Sequence, residues 1–336
     1  MKVYIVSYEL VRQNEAGGVP MRIAKMISYY EKKGIEAKLF DRWSDKISDC
    51  DILHVFKVNI DNYALISYAK KLGKKVIVSS VIPQENAGRI KFSLILHRVF
   101  KVNNTHSFLR NELLCADRIV AQTNKEAKFI REVYAIPGKN IVVIPNGVEE
   151  KLIQIESVEK DIVLNVGRFD TNKNQITMIR ALKDFKHQVY FVGGGVTEND
   201  EYYLLCKKEA ESNPNIHFTG WLKNGGKEIV DLYARAKVVT LLSHKEIFGN
   251  SLIEGGASGA NLVATNVLPI EEWGIEDFCI SVSPNSINEI RQGIERAYDA
   301  PIDGELRKRV IELFSWECIV EKYVELYKEV LAEERE

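Results

Sequence analysis

The residues in this sequence best suited to act together chemically are two glutamates, Glu246 and Glu254, which stand eight positions apart. Carboxylates accept hydrogen bonds from vicinal hydroxyl groups, so one of these acids is suited to a ribose diol and the other to a hexose. Two acids on a solvent-exposed loop and helix would show the same spacing without binding any ligand. Both interpretations stay open for this pair alone.

The stretch around the two glutamates has the sequence signals of a short helix between two strands. The apolar runs 238–242 and 261–265 predict the strands. Asn250 is suited to be the helix N-cap, and Gly259 is suited to the left-handed residue that ends a helix. These signals predict a strand-helix-strand unit with a helix of about nine residues.

An anion is favoured at the start of this predicted helix. The first amides, on Ser251, Leu252 and Ile253, lack an acceptor within the helix, and the helix dipole is positive at that end. A phosphate therefore fits there, with Glu246 and Glu254 on either side of it. A nucleotide sugar has this arrangement, with its diphosphate between a ribose and a hexose.

The same stretch carries a resemblance to a known family. Residues 242–255 read LSHKEIFGNSLIEG, which resembles Pro-Ser-x-x-Glu-x-Phe-Gly-x-x-x-x-Glu-Ala, the donor-site motif of the retaining glycosyltransferases of family 4. Leu242 replaces the proline and Gly255 the alanine, and neither change removes a polar group. The resemblance implies the GT-B fold and a donor site that includes Gly249, Asn250, Ser251, Leu252 and Glu254.

Two cations follow an earlier predicted strand, at 162–166. Arg168 and Lys173 lie just before a helix predicted from about Gln175, where a positive charge is disfavoured unless an anion is present. An arginine fork and a lysine ammonium can neutralise a diphosphate without a metal. Gly167, Arg168 and Lys173 also match the family's diphosphate-binding pattern, although each cation alone is equally typical of a protein surface.

Two weaker motifs are assigned through the resemblance. Gly17-Gly18-Val19, after the first predicted strand, matches the glycine pair that the family places against the transferred sugar and diphosphate. Trp221 and Leu222 follow a strand at 216–218, where the family holds the nucleotide base. An ordinary turn and a packing tryptophan are the alternatives for these two segments.

The fold class follows from repeated strand-helix alternation along the chain, which predicts parallel, doubly wound sheets. We expect an α/β protein with two Rossmann-like domains, as in the GT-B fold. Residues 1–150 form the acceptor domain and residues 151–314 form the nucleotide-sugar donor domain. The last helix, within 315–336, has one apolar stripe and is expected to cross back onto the first domain.

Composition excludes several classes of protein. The chain of 336 residues is 46% hydrophobic and 28% charged, and its apolar runs are too short to span a bilayer. Five scattered cysteines without a C-x-x-C pair argue against disulfides and structural zinc. Asp49 and Asp51 precede a strand, at the sheet edge opposite the ligand, so no metal site is expected. A cytoplasmic protein with no nucleic-acid partner is predicted.

Charge divides the chain into a basic and an acidic half. Residues 1–150 carry 24 Lys and Arg and 16 Asp and Glu, a net of +8, whereas residues 151–336 carry 22 and 31, a net of −9. No acid occurs between residues 89 and 110, where apolar residues alternate with cations, among them Arg89, Lys91, Arg98 and Lys101. This segment is suited to an anionic membrane surface or a lipid-linked acceptor. The alternative is a core-packing helix with a solvated basic face.

These motifs predict metal-independent transfer of a hexose-type sugar, with retention, from a nucleoside-diphosphate sugar to a glycan or lipid-linked acceptor. Arg168, Lys173 and Glu246 are the catalytic candidates. The chain has Ser79 and Ser80 where many family members carry a histidine, so the acceptor-side group is unassigned. An epimerase of the same fold and a noncatalytic nucleotide-sugar-binding protein are the alternatives. Peripheral contact with the inner face of the membrane is compatible with the basic first half.

Overall fold

A computed structural model describes residues 1–7, 18–82, 86–155, 158–302 and 304–333. The chain divides into two compact units. The first comprises Met1–Gly147 and Trp316–Glu336, and the second comprises Val148–Ser315. These divisions fall within three residues of the domain boundaries expected from the sequence.

The first unit is built on a six-stranded parallel sheet in the order β2-β1-β3-β4-β5-β6. Its elements, in chain order, are β1 (Lys2–Val6), α1 (Gly18–Lys32), β2 (Glu36–Leu39), β3 (Ile52–Phe56), α2 (Tyr63–Lys71), β4 (Lys75–Ser79), α3 (Ala87–Phe100), α4 (Thr105–Cys115), β5 (Arg118–Ala121), α5 (Asn124–Val133) and β6 (Ile141–Val143). The strands are short apolar runs, and β3 is buried along its whole length. Such strands are typical of a sheet that is covered on both faces.

The second unit contains another six-stranded parallel sheet, in the order β12-β11-β10-β7-β8-β9. Its elements are α6 (Glu150–Ile153), β7 (Ile162–Val166), α7 (Gln175–Ala181), β8 (Gln188–Val192), α8 (Glu201–Ala210), β9 (Ile216–Gly220), α9 (Lys227–Arg235), β10 (Ala236–Leu241), α10 (Asn250–Ala257), β11 (Asn261–Thr265), β12 (Cys279–Val282), α11 (Ile287–Asp299) and α12 (Glu305–Phe314). The two sheets confirm the predicted fold class. The helices α4, α6, α8, α9 and α12 were not predicted from the sequence.

The last helix, α13 (Trp316–Ala332), belongs to the first unit. Its apolar stripe, which includes Ile319, Tyr323 and Tyr327, lies in the same core cluster as residues of α1 and β1. The Trp316 ring packs on Gly147, where an added Cβ would lie 2.4 Å from a ring carbon. The turn at residue 147 therefore requires glycine.

A buried polar network joins α13 to the sheet of the first unit. His54 is fully buried in β3, with Nδ1 at 2.6 Å from the Tyr327 hydroxyl and Nε2 at 2.9 Å from the Ser79 hydroxyl. Burial lowers the pKa of His54 well below its usual value, and the charge of Arg22 lowers it further. The ring is therefore neutral, and its two nitrogens fix the α13 hydroxyl against β4.

The sequence predicts no metal site at Asp49 and Asp51 and no membrane-spanning segment. Asp51 lies at the amino edge of the first sheet, where its Oδ2 accepts a hydrogen bond of 2.7 Å from the Lys2 amide. Across the described ranges, no helix is both long enough and apolar enough to cross a bilayer. The five cysteines are free thiols.

A buried carboxyl group in α4 makes the stability of the first unit depend on pH. Glu112 is fully buried; its Oε2 accepts a 3.0 Å hydrogen bond from the Asn59 amide, and its Oε1 has no partner among the described residues. Burial raises the pKa of Glu112 from 4.5 to about 8. Because the folded state keeps a proton that the unfolded state releases, this group stabilises the fold below pH 4.5, and that contribution is lost as pH rises to about 8.

We expect Glu112→Gln to remove this pH dependence, because glutamine keeps the acceptor for Asn59 and carries no titrating proton. From pH 5 to pH 8 the unfolding free energy of the wild type should fall relative to that of the variant, by at most about 1.4 kcal/mol per pH unit. Urea titrations at the two pH values measure the difference. Glu132→Gln, at a half-exposed surface ion pair, is the control; parallel pH profiles for wild type and Glu112→Gln would contradict the assignment.

Candidate active site at the carboxyl edge of the second sheet

The two loops that carry the predicted cations and acids leave the second sheet side by side. Strands β7 and β10 are parallel neighbours, so the loops at 167–174 and 242–249 start from the same sheet edge. Hydrogen bonds of Asn172 tie them together: the His244 amide donates to its carbonyl oxygen at 2.8 Å, and its Nδ2 donates to the Lys245 carbonyl oxygen at 2.9 Å. The carboxyl edge is where open α/β sheets bind ligands.

The central contact at this edge is an ion pair. Lys173 Nζ lies 2.5 Å from Glu246 Oε1, and the Ser243 hydroxyl donates to the same oxygen at 2.7 Å. The two charged side chains are 25% and 14% exposed, respectively. Because an ammonium group has three N–H donors, this pair uses one of those of Lys173.

Asp170 links the two predicted cations. Its Oδ2 accepts hydrogen bonds from Arg168 Nε at 2.9 Å and from Arg168 Nη2 at 2.7 Å, while its Oδ1 accepts from the Lys173 amide at 2.9 Å. Arg168, Lys173 and Glu246 therefore belong to one connected cluster. The sequence interpretation missed Asp170, although an aspartate three residues before an amide that it caps is a recognisable local signal.

The start of helix α10 differs from the prediction. The N-cap is Gly249, and Asn250 is the first helical residue. The amides of Leu252 and Ile253, which were expected to be free, both donate to the Gly249 carbonyl oxygen, at 3.0 and 3.1 Å. The tight first turn thus occupies them, whereas the Ser251 amide has no backbone acceptor among the residues that the structure describes.

Close packing explains the small residues of α10. A Cβ on Gly249 would lie 2.6 Å from the Leu241 side chain and 2.7 Å from the Trp273 ring. A Cβ on Gly255 would lie 2.6 Å from Val239, so this chain has no room for the alanine of the usual motif. Gly259 has φ +80°, the left-handed conformation expected at the end of the helix.

Glu254 makes a separate set of contacts from the cluster around Lys173. The Tyr233 hydroxyl on α9 donates a 2.6 Å hydrogen bond to its Oε2. Burial, together with the nearby charge of Glu149, raises the pKa of Glu254 from 4.5 to about 7, although the Tyr233 hydrogen bond acts to lower it. Tyr233 and Glu149 were not identified from the sequence, because their link to Glu254 depends on tertiary packing.

The loops after β8 and β9 form the neighbouring part of the edge. Gly193 has φ +125°, and a Cβ there would lie 2.1 Å from the Gly167 carbonyl oxygen, so the two loops approach at backbone distance. The Trp221 indole donates to the Gly195 carbonyl oxygen at 3.3 Å, and half of its side chain remains exposed. Leu222 lines a shallow groove on the side of α9.

The remaining candidates lie in the first unit. Gly17 falls outside the described residues, and Gly18 is the first residue of α1. Arg89, Lys91 and Arg98 are exposed on α3, and Lys101 follows as its left-handed C-cap. The exposed face of α3 carries large apolar side chains as well as these cations.

The sequence predicts no metal site in this protein. Within the described ranges, no group of three or more His, Cys, Asp or Glu side chains is arranged to hold a metal ion. Arg168 and Lys173 are the two cations of the cluster at this sheet edge, and each is paired with a carboxylate.

Comparison with curated proteins gives distant relatives. The chain is 24% identical over 237 residues to the MMP alpha-(1->4)-mannosyltransferase of Mycolicibacterium hassiacum, covering 64% of this chain and 54% of that protein. It is also 24% identical over 224 residues to the N-acetylgalactosamine-N,N'-diacetylbacillosaminyl-diphospho-undecaprenol 4-alpha-N-acetylgalactosaminyltransferase of Campylobacter jejuni, covering 62% and 59%. The alignments thus span little more than half the length of these relatives.

Comparison with solved structures shows the fold. A glycosyltransferase from Rickettsia africae superposes with a TM-score of 0.73 at 18% identity, over 99% of both chains. Residues 148–313, which make up nearly all of the second unit, match the family model of the glycosyl transferases group 1. The second unit therefore belongs to the group 1 glycosyl transferases, and the chain has the GT-B fold.

Proposed function

We propose that this protein transfers a hexose-type sugar from a nucleoside-diphosphate sugar to a glycan or lipid-linked acceptor, with retention of anomeric configuration. The observation that carries the proposal is the cluster of Arg168, Asp170, Lys173 and Glu246 at the carboxyl edge of the second sheet. It combines two cations with a carboxylate that is suited to sugar hydroxyls. A diphosphate joined to a sugar requires these two kinds of group side by side.

The chemical step needs stabilisation of the negative charge that develops on the departing diphosphate. Lys173 has two N–H donors beyond the one directed at Glu246. Arg168 presents a planar fork on a side chain that is more than half exposed, so a phosphate oxygen can reach it. The N-terminus of α10, through the Ser251 amide, adds the positive end of a helix dipole.

The two glutamates orient the donor in this proposal. Glu246 receives hydroxyl groups of the transferred sugar, and Glu254 receives the ribose diol. Neither acid is then available for the two-carboxylate scheme of glycoside hydrolysis. The resemblance to family 4 implies a front-face route instead, in which the leaving phosphate helps to deprotonate the acceptor hydroxyl.

The proposal includes independence from metals and a peripheral contact with the inner face of a membrane. The charge that a metal would supply is provided by Arg168 and Lys173, so EDTA is expected to leave turnover unchanged. The first unit, which contains the basic helix α3, is assigned to the acceptor. The metal independence thus depends on Arg168 and Lys173, and the membrane contact depends on the residues of α3.

A direct assay tests the proposed activity. The protein is incubated with UDP-, GDP- and ADP-sugars labelled in the sugar, together with a membrane extract, and label is followed into lipid and polymer. We expect transfer from one of these donors to an acceptor. Release of an epimer or free nucleotide without acceptor labelling would indicate an epimerase or hydrolase. Donor binding without turnover would indicate a noncatalytic binding protein. Either result would overturn the proposal.

Removal of the lysine ammonium should act mainly on the chemical step. We expect Lys173→Ala to lower kcat by about 100-fold, the typical effect of removing one charge-stabilising donor. Steady-state kinetics with the donor identified above measure the change. Lys183→Ala, at an exposed lysine of the same unit, is the matched control and should keep wild-type turnover.

Loss of Lys173 also leaves Glu246 without its partner, so folding must be checked by thermal unfolding. Lys173→Ala/Glu246→Gln removes the unpaired carboxylate and restores local charge balance. It is expected to stay inactive. Wild-type kcat in a folded Lys173→Ala protein would exclude the proposed role of the ammonium.

The acid on α10 gives donor binding a pH dependence. The pKa of Glu254 is about 7 because the carboxyl group is largely desolvated, and only the carboxylate accepts hydrogen bonds from both hydroxyls of a diol. Binding below pH 7 therefore requires loss of a proton. Donor affinity should weaken by up to about tenfold per pH unit as pH falls below 7 and should level off above it.

Isothermal titration with the intact nucleotide sugar at pH 6 and pH 8 measures this effect, because the diphosphate diester of the donor does not titrate there. Glu254→Gln should bind more weakly at pH 8 and lose the pH dependence. Glu211→Gln, at an exposed position of the second unit, should retain it. An unchanged pH profile in Glu254→Gln would assign the proton to another group.

A further inference from the structure

Helix α3 is apolar on the side that faces away from its own unit. Five large apolar side chains form this outer face, and four of them are more than half exposed: Phe92 (61%), Ile95 (57%), Val99 (62%) and Phe100 (66%), with Leu96 at 36%. At about 100° per residue they occupy one side of the helix. Exposed apolar side chains are common singly, whereas a contiguous group marks an interaction surface.

The opposite side of α3 is anchored, so the exposure of the outer face is a fixed feature. Ile90 is almost fully buried, and Leu94 packs against the core cluster of the first unit. Near the end of the helix, Asn104 Nδ2 donates a 3.0 Å hydrogen bond to the Ser93 carbonyl oxygen. Asn104 also caps α4 through a reciprocal pair of bonds with Ser107. The outer face therefore cannot turn inward without breaking these contacts.

The charges beside the outer face have one sign. Lys91 and Arg98 are seven residues apart and lie along one border of the apolar stripe, and Arg89 and Lys101 lie near its two ends. All four are exposed. Residues 86–111 contain no aspartate or glutamate. The surface that covers this face must accept apolar side chains at its centre and supply negative charge around them.

We propose that the outer face of α3 docks on an anionic phospholipid bilayer. Phe92, Ile95, Val99 and Phe100 enter the boundary between headgroups and acyl chains, while the lysine and arginine side chains reach the phosphates. A helix of 14 residues is about 21 Å long, which suits a helix lying in the plane of the interface. This docking specifies the residues and the lipid class of the peripheral membrane contact included in the proposed function, and its test does not depend on sugar transfer.

Charge favours the bilayer over a second copy of the chain. Apposition of two outer faces would bring Lys91 and Arg98 of each copy near the same cations of the other, and like charges at an apolar contact are unfavourable. In a bilayer, the anionic headgroups pair with the cations, and the acyl region contacts the apolar side chains of the outer face. One surface thus provides both interactions.

Vesicle flotation with the full chain tests the proposal. We expect the protein to float with vesicles of phosphatidylcholine and phosphatidylglycerol and to stay in solution with vesicles of phosphatidylcholine alone. Phe92→Ser/Phe100→Ser should weaken binding by at least about tenfold, because the apolar contact is lost. Leu204→Ser/Leu205→Ser, at two half-exposed leucines of α8, is the matched control and should bind as the wild type does.

The electrostatic contribution is tested separately. Lys91→Gln/Arg98→Gln should also weaken binding by at least about tenfold and reduce its sensitivity to salt. Lys183→Gln/Lys186→Gln, at exposed lysines of the second unit, is the matched control. All variants change exposed side chains, so their thermal unfolding should match that of the wild type.

Several outcomes would overturn the proposal. These are absence of wild-type binding to the anionic vesicles, wild-type binding by the Phe92→Ser/Phe100→Ser protein, and an equal loss in the α8 control. A dimer in size-exclusion chromatography that Phe92→Ser/Phe100→Ser converts to a monomer would instead show that a second copy covers the face.

Discussion

The candidate site depends on the contact between the ammonium of Lys173 and the carboxylate of Glu246, two residues 73 positions apart in the chain. They meet because β7 and β10 are parallel neighbours, so the loops after them leave the sheet at one edge. Backbone and side-chain hydrogen bonds of Asn172 then hold the two loops together. The geometry of the site is thus a product of strand order, and a chain with the same motifs in separate sheets would lack it.

The charges of this cluster balance before any ligand is bound. Arg168 and Lys173 contribute two positive charges, and Asp170 and Glu246 contribute two negative ones. Partly buried cations without partners are costly, so the acids keep the cationic side chains in place in the free protein. An incoming diphosphate adds negative charge to a neutral cluster, and the N–H donors not used by the acids can bind it. The same carboxylates therefore stabilise the free protein. In the proposed reaction they also orient the donor once it is bound.

The strands, the fold class and the position of Lys173 and Glu246 at one sheet edge could be predicted from the sequence. They could be predicted because apolar runs and glycine positions are local signals. The sequence was insufficient where a residue's role depends on a tertiary neighbour. Asn250 is the better N-cap by side-chain preference, but the N-cap is Gly249, one residue earlier, where only glycine fits against Leu241 and Trp273. That shift also commits the Leu252 amide to the first turn. Tyr233, the partner of Glu254, comes from a helix that was not predicted.

Helix α3 is a second case in which the sequence does not show the tertiary neighbours of a residue. A helix with apolar residues around most of its circumference is expected to be buried on all sides, and its sequence alone does not show which face meets the protein. The structure assigns the side of Ile90 and Leu94 to the core and leaves the side of Phe92 and Val99 exposed. Burial of the inner side satisfies the fold, so folding places no demand on the outer residues to be apolar. The fold therefore does not explain why these residues are apolar and why the charges beside them have one sign. Contact with an external surface explains both features.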